Sequence, residues 1–361
     1  MKLYKYLLLI TPLLAIQSCS KEIGEDPKAP VGLEPRIAGV SLITRGGASD
    51  ASAIKTLGIY AVNKKDGETT YGVSPTGTYR KYNLEGGNAS PAGDTETLWL
   101  NQEQAIIFSY HPIVSDVAVT AGGEGTTPVP TITIQASAIK PEQTITKTES
   151  NNIYDFALPV NDYMYGVEYD NNQSSEANKY LSTQPIADNG HQLGDVIPKG
   201  REVAIGLKHA FAQVSFIVKR GDAYKGAAKV TKVTHTRNMP TLKADNTTTM
   251  NLTDGALNNL AGVTEKTYLY TFNDGVAPTL SSISGGITLT NYVIPYSTTS
   301  DQSKLVVTVD GKDMTLLPYT DPAWEAGNIY TYTIIINPTG LTLDGFNITG
   351  WDDESLPDVN V

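Results

Sequence analysis

Short extended segments separated by turn residues recur along most of the chain, and they restrict its fold more than any other feature. Leu57–Val62, Ala105–Tyr110 and Ile329–Ile336 show the alternating or continuous apolar patterns of β-strands. After the amino-terminal apolar segment, no long stretch keeps the 3.6-residue period of an amphipathic helix. The pattern predicts a nearly all-β chain with one or two short helices, arranged as two sandwiches of about seven strands each.

The second half of the chain contains the longest strand signals. Asp310-Gly311 lies between two apolar segments, which is typical of a tight hairpin. Val203–Val218 is a long extended run, and the polar stretch Gln173–Leu193 precedes it. We therefore expect a domain boundary between these two segments, with one sandwich over residues 36–199 and another over residues 200–361.

The composition excludes several classes of function. The 361-residue chain has 27 Lys and Arg against 38 Asp and Glu, a net charge of −11. No basic stripe interrupts this negative charge, so a nucleic-acid partner is not expected. The sequence also lacks the phosphate-binding, dinucleotide-binding, zinc-protease and serine-hydrolase motifs. We therefore expect a protein that is not an enzyme, with no cofactor and no metal site.

The amino end has the features of an exported lipoprotein. A positively charged start precedes the apolar run Leu7–Ile16, which is too short to span a membrane as a mature helix. The only cysteine, Cys19, follows in a sequence that resembles a bacterial lipobox, whose cysteine carries lipid. An ordinary signal peptide that contains a cysteine is the alternative. Residues 1–18 are thus a predicted signal peptide, and residues 19–35 a predicted flexible tether.

The segment Arg36–Gly47 alternates like a strand and then ends in a linker of small residues. Ala38, Val40 and Leu42 fall on one face of this strand, and Arg45 lies at its end. Proteases cut exposed linkers of small residues. Two interpretations are open from the pattern alone. The segment is either the first strand of a sandwich or a plug strand that proteolysis removes.

The carboxyl end offers a second strand of interest, which begins at Gly340. Leu341 and Leu343 have one parity, whereas Phe346 and Ile348 have the other. This change of parity predicts a bend or bulge at residues 344–345. The segment 340–356 is either a donor strand for another molecule or a closing strand of the second sandwich.

Histidine and aromatic residues are the remaining candidates for a binding site. His111 and His209 lie in or beside predicted strands, so we expect them to be packed and hydrogen-bonded rather than to be ligands. Trp99 and Trp324 could stack on sugars, although aromatic residues of β proteins more often form core and cross-strand pairs. A monomeric surface lipoprotein that binds glycans or acts as an adhesin is therefore the alternative function.

Several phrases of the chain, taken in order, resemble the fimbrillin family of Bacteroidales, the subunits of type V pili. The phrases are Trp99, Ile107–Pro112, Asp162–Gly166, Leu207–Phe216, Asn291–Pro295, Trp324–Tyr332, Gly340-Leu341 and Ile348–Trp351. The resemblance implies two tandem transthyretin-like Greek-key sandwiches. It also implies export to the cell surface as an outer-membrane lipoprotein, lipidated at Cys19, and incorporation into a fimbrium.

The resemblance further implies a mechanism of assembly. An arginine-specific protease removes the first strand, residues 36–45, by a cut between Arg45 and Gly46, with Arg36 and Ile37 as the second candidate junction. The opened groove then takes a strand from another pilin subunit. Anchor subunits lack the cut, so the sequence favours a stalk or tip subunit that serves adhesion. The implied partners are pilin subunits, the protease, the outer membrane before cleavage, and a ligand on a host or bacterial surface.

Overall fold

The computed structural model describes most of the chain between residues 29 and 350. The described residues are 29–30, 32–37, 56–64, 79–85, 88–91, 98–100, 104–113, 117–120, 129–147, 154–155, 162–170, 172–187, 202–273, 275–280, 286–297, 302–320 and 322–350. Over these residues the chain is nearly all β, as predicted. Its helical parts there are a 3₁₀ turn, Ala136–Ala138, and one short α-helix, α1 (Glu176–Lys179).

The strands of the described residues are numbered in chain order. Those up to residue 168 are β1 (Ala29–Pro30), β2 (Gly32–Ile37), β3 (Thr56–Asn63), β4 (Tyr79–Glu85), β5 (Asn88–Pro91), β6 (Trp99–Leu100), β7 (Ala105–His111), β8 (Val117–Thr120), β9 (Val129–Thr133), β10 (Glu142–Lys147), β11 (Tyr154–Asp155) and β12 (Met164–Glu168). Those that follow are β13 (Ile186–Ala187), β14 (Glu202–His209), β15 (Ala212–Arg220), β16 (Val230–Thr241), β17 (Thr249–Asn251), β18 (Leu257–Asn258), β19 (Ala261–Phe272), β20 (Ile287–Val293), β21 (Gln302–Val309), β22 (Lys312–Thr320), β23 (Asn328–Asn337) and β24 (Gly340–Gly350).

The first sheet contains eight strands in the order β2-β14-β12-β7-β3-β4-β5, with β13 beside β7. Its two ends approach each other, because Cα atoms of β2 and β5 come within 8 Å. The sheet therefore curls, and one of its faces encloses a buried apolar cluster. Described members of that cluster are Leu57, Ile59, Ala61, Tyr82, Leu98, Ala105, Ile107, Met164, Ala187, Val203, Ile205 and Leu207.

A small sheet in the order β18-β17-β9-β8 contributes to a second apolar cluster, on the opposite face of the first sheet. Tyr60 and Phe108 of the first sheet share this cluster with Met250 of the small sheet. Phe211 and Tyr292, from the second half of the chain, belong to it as well. The two halves of the protein therefore share a continuous core.

The second sandwich consists of two facing sheets, in the orders β11-β10-β19-β16-β21-β22 and β20-β15-β23-β24. Side chains of both sheets meet in one large cluster that includes Phe216 and Tyr332 from one sheet and Tyr270 and Val307 from the other. The long strands here are rich in Val, Ile, Thr and Tyr, the residues that pack well on a pleated surface.

The predicted boundary at residue 199 does not separate the hydrogen-bonded sheets. β14 lies after it but pairs with β12 and β2 in the first sheet. β10 lies before it but pairs in parallel with β19 of the second sandwich. Likewise β17, from the second half, pairs with β9. A local pattern indicates where a strand is, whereas its partner depends on contacts distant in sequence.

Two predictions of local structure are confirmed, and one is wrong. Asp310 and Gly311 connect β21 to β22 with positive φ angles of 49° and 78°, as a tight hairpin turn requires. The bulge predicted at residues 344–345 is present, since Asp344 has no partner between two paired residues of β24. The long run at residues 203–218 is not one strand. It breaks at Ala210-Phe211 into β14 and β15, which lie in different sheets.

Among the described residues, no helix has the length and apolar character needed to cross a membrane.

Candidate strand-exchange site

The strand nearest the amino end of the first sheet, β2, lies at the edge of that sheet. It pairs in parallel with β14, from Gly32 opposite Glu202 to Ile37 opposite Leu207. Edge strands tolerate proline, because the missing N–H can face away from the ladder, and Pro35 lies in β2. β2 is thus the end strand of the curled sheet, paired with β14 on one side and close to β5, the strand at the other end.

The wall of this site is the strand β14. Its alternate residues Val203, Ile205 and Leu207 are buried in the apolar cluster of the first sheet, with 5%, 0% and 0% exposure. They stand opposite residues 33, 35 and 37 of β2. A strand in the position of β2 therefore adds its main chain to the edge of β14 beside an apolar layer.

The residues predicted for lipidation and cleavage fall mostly outside the described part of the chain. Cys19, Arg45 and Gly46 lie there, and so do the plug residues Ala38, Val40 and Leu42. Arg36 and Ile37 are within β2, paired with Gly206 and Leu207. The described edge strand thus begins at Gly32, inside the predicted tether. The prolines of this segment suggested a tether, although proline is compatible with an edge strand.

A polar group lies at the carboxyl end of β14, beside the apolar layer. Met164 of β12 stands opposite His111 on one side and His209 on the other, so the two histidines share one face of the sheet. His209 and Asp162 form a buried hydrogen bond, with 2.6 Å between Nδ1 and Oδ2 and exposures of 2% and 1%. The other oxygen of Asp162, Oδ1, is buried and accepts no hydrogen bond from the described residues.

The pKa values of two titratable neighbours of Asp162 are shifted by their own burial and by the charge of Asp162. Burial lowers the pKa of His111, although its Nδ1 hydrogen bond to the Thr56 carbonyl and the charge of Asp162 act in the opposite direction. Burial raises the pKa of Tyr292 well above its ordinary value, and the charge of Asp162 adds to this effect. As predicted, His111 and His209 are packed and hydrogen-bonded. From the sequence, Asp162 is only the first residue of the family phrase Asp162–Gly166, and no role is predicted for its carboxylate.

Two residues join the first sheet to the second sandwich. After β14, the Ala210 N–H donates to the Tyr163 carbonyl at 2.9 Å. The Phe211 ring then meets Tyr163 edge-on, with 6.0 Å between centroids, and stacks on Tyr292 at 6.3 Å. The Gly327 N–H donates to the Phe211 carbonyl at 2.9 Å. This joint, the connection between β14 and β15, therefore makes contacts with both the first sheet and the second sandwich.

The candidate donor strand, β24, forms the closing edge of the second sandwich by pairing with β23. Leu341 and Leu343 stand opposite Ile336 and Ile334, and Phe346 and Ile348 stand opposite Tyr332 and Tyr330. All four partners are buried in one core, so the four β24 side chains face the same side. The unpaired residue Asp344 shifts the alternation of β24 by one position, so side chains at odd and even positions on its two sides point to the same face.

The two halves of β24 differ in burial. Leu341 and Leu343 are partly buried and pack against the core of the second sandwich. Phe346 and Ile348 keep 41% and 47% of their surface exposed, although the Phe346 ring lies 4.8 Å from that of Tyr332. The end of the strand therefore presents apolar side chains that are only half covered.

The proposed sugar platform at Trp324 is wrong, because this side chain is 1% exposed. The Arg237 guanidinium lies over its ring at 3.9 Å, and the His235 ring is 6.0 Å away. Trp324 is therefore a core residue of the second sandwich. The side chain of Trp99 is outside the described part of the structure. Among the described residues, no group of three His, Cys, Asp or Glu is placed to hold a metal ion.

Residues 44–351 match the model of a protein family described as fimbrillin-like. Among solved structures, a candidate cell adhesion protein from Bacteroides ovatus ATCC 8483 aligns with a TM-score of 0.53 and 15% identity, over 91% of this chain and 99% of its own. Another from Bacteroides uniformis ATCC 8492 aligns with a TM-score of 0.50 and 16% identity, over 90% and 99%. At these identities the likeness shows a shared fold. No curated protein matched the chain.

Proposed function

The chain belongs to the fimbrillin-like family, and on that premise we propose that it is a stalk or tip subunit of a surface pilus. Family membership indicates a pilin or adhesin role at the cell surface, in association with other pilin subunits. The finer proposal is that subunits assemble by strand exchange after proteolysis. The observation that carries it is the position of β2 at the end of the curled first sheet, where it pairs with β14 and lies close to β5.

The site that would accept a strand is the edge of β14 that β2 covers. Within the described part of the chain, β2 pairs with β14 and with no other strand. The described core beside β14 is built from residues of many other strands. Loss of β2 therefore leaves most of that core in place. It also leaves a bare sheet edge beside buried apolar side chains, which is a binding site for another strand.

The strand that would be donated to a neighbouring subunit is β24. Burying each large apolar side chain is worth roughly 1.5–3 kcal/mol, and each hydrogen bond adds about 0.5–1.5 kcal/mol net. A strand with four such side chains thus gains on the order of 10 kcal/mol in a groove before ordering costs. Because Phe346 and Ile348 are only half buried at home, their transfer to a neighbour recovers burial that β24 lacks.

Cleavage fits better after Arg45 than after Arg36. The bond between Arg36 and Ile37 lies in a strand that is paired with Gly206 and Leu207. A protease binds its substrate as an unpaired extended segment, so the ladder must open before this bond is cut. We therefore propose the cut between Arg45 and Gly46, which releases the whole of β2.

Release of β2 makes the exchange directional. While β2 remains tethered by a short linker, its effective concentration is about millimolar, and a strand from another subunit cannot compete. After cleavage, β2 dissociates and dilutes. The same cut separates the protein from Cys19, so we propose that lipidation there holds the subunit at the outer membrane until assembly. In this role the protein needs no catalytic site and no cofactor.

The test uses the mature chain, an arginine-specific protease and the variant Arg45→Ala. Amino-terminal sequencing establishes which bond is cut, and gel electrophoresis in sodium dodecyl sulfate detects polymer ladders. We expect ladders from cleaved wild type and monomers from Arg45→Ala, with Arg36→Ala as the matched control that still polymerises. Monomers after complete cleavage at Gly46, with β2 removed, would contradict assembly by strand exchange.

A further inference from the structure

We propose that Asp162 and His209 are a positioning pair that keeps the acceptor wall β14 in place after β2 has left. This inference rests on the proposed strand exchange and names the residues that prepare its groove. The structure places the pair at the end of β14, beside the apolar layer that a new strand would join. The pair would act through β14 and would not touch the incoming strand.

The need for such a device follows from the pairing of β14. In the intact chain, β14 pairs with β2 along residues 202–207 and with β12 along residues 205–209. Once β2 is gone, β14 becomes an edge strand that the ladder to β12 holds along part of its length. The pair Met164–His209 is the last rung of that ladder, and Asp162 lies two residues before Met164. Edge strands with short ladders fray unless another contact fastens them.

The Asp162–His209 contact has the properties of a strong fastener. The His209 Nδ1–H donates to Asp162 Oδ2 over 2.6 Å, and both side chains are almost fully buried. A hydrogen bond to a carboxylate is about twice as strong as one between neutral groups. Asp162 Oδ1 accepts no hydrogen bond from the described residues. The hydrogen bond from His209 to Oδ2 therefore supplies much of the free energy that offsets the burial of the carboxylate.

Neighbouring contacts extend the same support. The Ala210 N–H bond to the Tyr163 carbonyl continues past the last rung of the ladder, and Phe211 is packed between Tyr163 and Tyr292. At the other end of β14, the Tyr169 N–H donates to the Ala204 carbonyl at 3.4 Å. None of these contacts involves β2. These contacts hold β14 independently of the strand that leaves, and Asp162–His209 is a buried side-chain hydrogen bond among them.

The experiment compares His209→Ala with His209→Asn, because an asparagine amide can donate from nearly the position of Nδ1. Hydrogen–deuterium exchange over residues 202–209 is followed in the mature chain before and after cleavage by an arginine-specific protease and removal of the released fragment. We expect exchange in cleaved His209→Ala to be at least about tenfold faster than in cleaved wild type. We also expect a loss of ladder formation of similar size, with His209→Asn close to wild type in both measurements.

Comparing hydrogen exchange before and after cleavage shows whether the Asp162–His209 pair positions β14 or only stabilises the fold. In the intact chain β2 still covers β14, so His209→Ala should change exchange there far less. Equal acceleration before and after cleavage would overturn the proposal, and so would unchanged exchange and assembly after cleavage. If His209→Ala does not fold, Asp162→Ala, which removes the acceptor of the same hydrogen bond, replaces it with the same expectations. If cleaved wild type forms no ladders, strand exchange fails as a function, while the exchange of residues 202–209 still decides the role of the pair.

Discussion

At the residue scale, three buried histidines differ in what they contact. His111 donates to a backbone carbonyl, His209 to a carboxylate, and His235 lies 3.1 Å from the Ser303 hydroxyl. His235 is enclosed by Phe216 and Trp324 and has the Arg237 charge beside it. None of these groups is an anion that would offset the burial of a protonated imidazole, and the Arg237 charge repels one, so protonation of His235 opposes folding.

This arrangement predicts a loss of stability in acid. Burial, and then the charge of Arg237, lowers the pKa of His235 to about 3. The unfolded chain therefore binds a proton that the folded chain excludes between pH 6.5 and about 3. Over that window His235 alone reduces the free energy of unfolding by up to about 1.4 kcal/mol per pH unit as the pH falls.

Urea denaturation of wild type and His235→Gln at pH 7 and pH 5 measures this contribution. The fall in unfolding free energy between the two pH values should be smaller in the variant by about 1–2 kcal/mol. His111→Gln is the comparison, because burial also lowers the pKa of His111 but two influences oppose that shift. An identical pH dependence in wild type and His235→Gln would contradict the assignment.

At the scale of single elements, the sequence predicts strands better than their partners. β3, β7 and β23 were predicted from their own apolar patterns, and the bulge of β24 followed from the parity of four side chains. The order of strands was not predictable, since β10 and β17 pair with strands more than a hundred residues away. β2 was missed for a similar reason. Gly32–Ile37 has a weak pattern of its own and becomes a strand through its ladder to β14.

The two halves of β24 predict opposite effects of mutation. Leu343→Ala removes a side chain packed on the core and should cost about 2–4 kcal/mol of unfolding free energy. Ile348→Ser affects a side chain that is 47% exposed and should cost about 1 kcal/mol or less. If β24 is the donor strand, Ile348→Ser should nevertheless reduce ladder formation at least about tenfold, because in the groove this side chain is fully buried.

Val263→Ser is the matched control, because Val263 is 49% exposed on β19, away from the exchange site. Thermal unfolding of the intact chain and ladder formation after cleavage are measured for all three variants. Equal assembly by Ile348→Ser and Val263→Ser would show that β24 is a closing strand rather than the donor.

At the scale of the whole molecule, the two halves share a buried core. β14 and β15 are separated by Ala210 and Phe211 alone, and β15 pairs with β23, which holds β24. The wall of the acceptor site and the candidate donor strand are therefore parts of one series of bonded strands. If subunits exchange strands as proposed, this series of paired strands would carry tension from the received strand to β24 through the described residues.

This continuity predicts a single cooperative unfolding transition, which Phe211→Ala should divide. Phe211 is fully buried and contacts Tyr163 on one side of the joint and Tyr292 on the other. Its truncation should cost about 3–5 kcal/mol and uncouple the first sheet from the second sandwich. Differential scanning calorimetry of the intact chain should then show two transitions in place of one.

Phe216→Ala, inside the core of the second sandwich, is the matched control with a similar loss of volume. It should lower the melting temperature without dividing the transition, and two transitions already present in wild type would contradict a shared core.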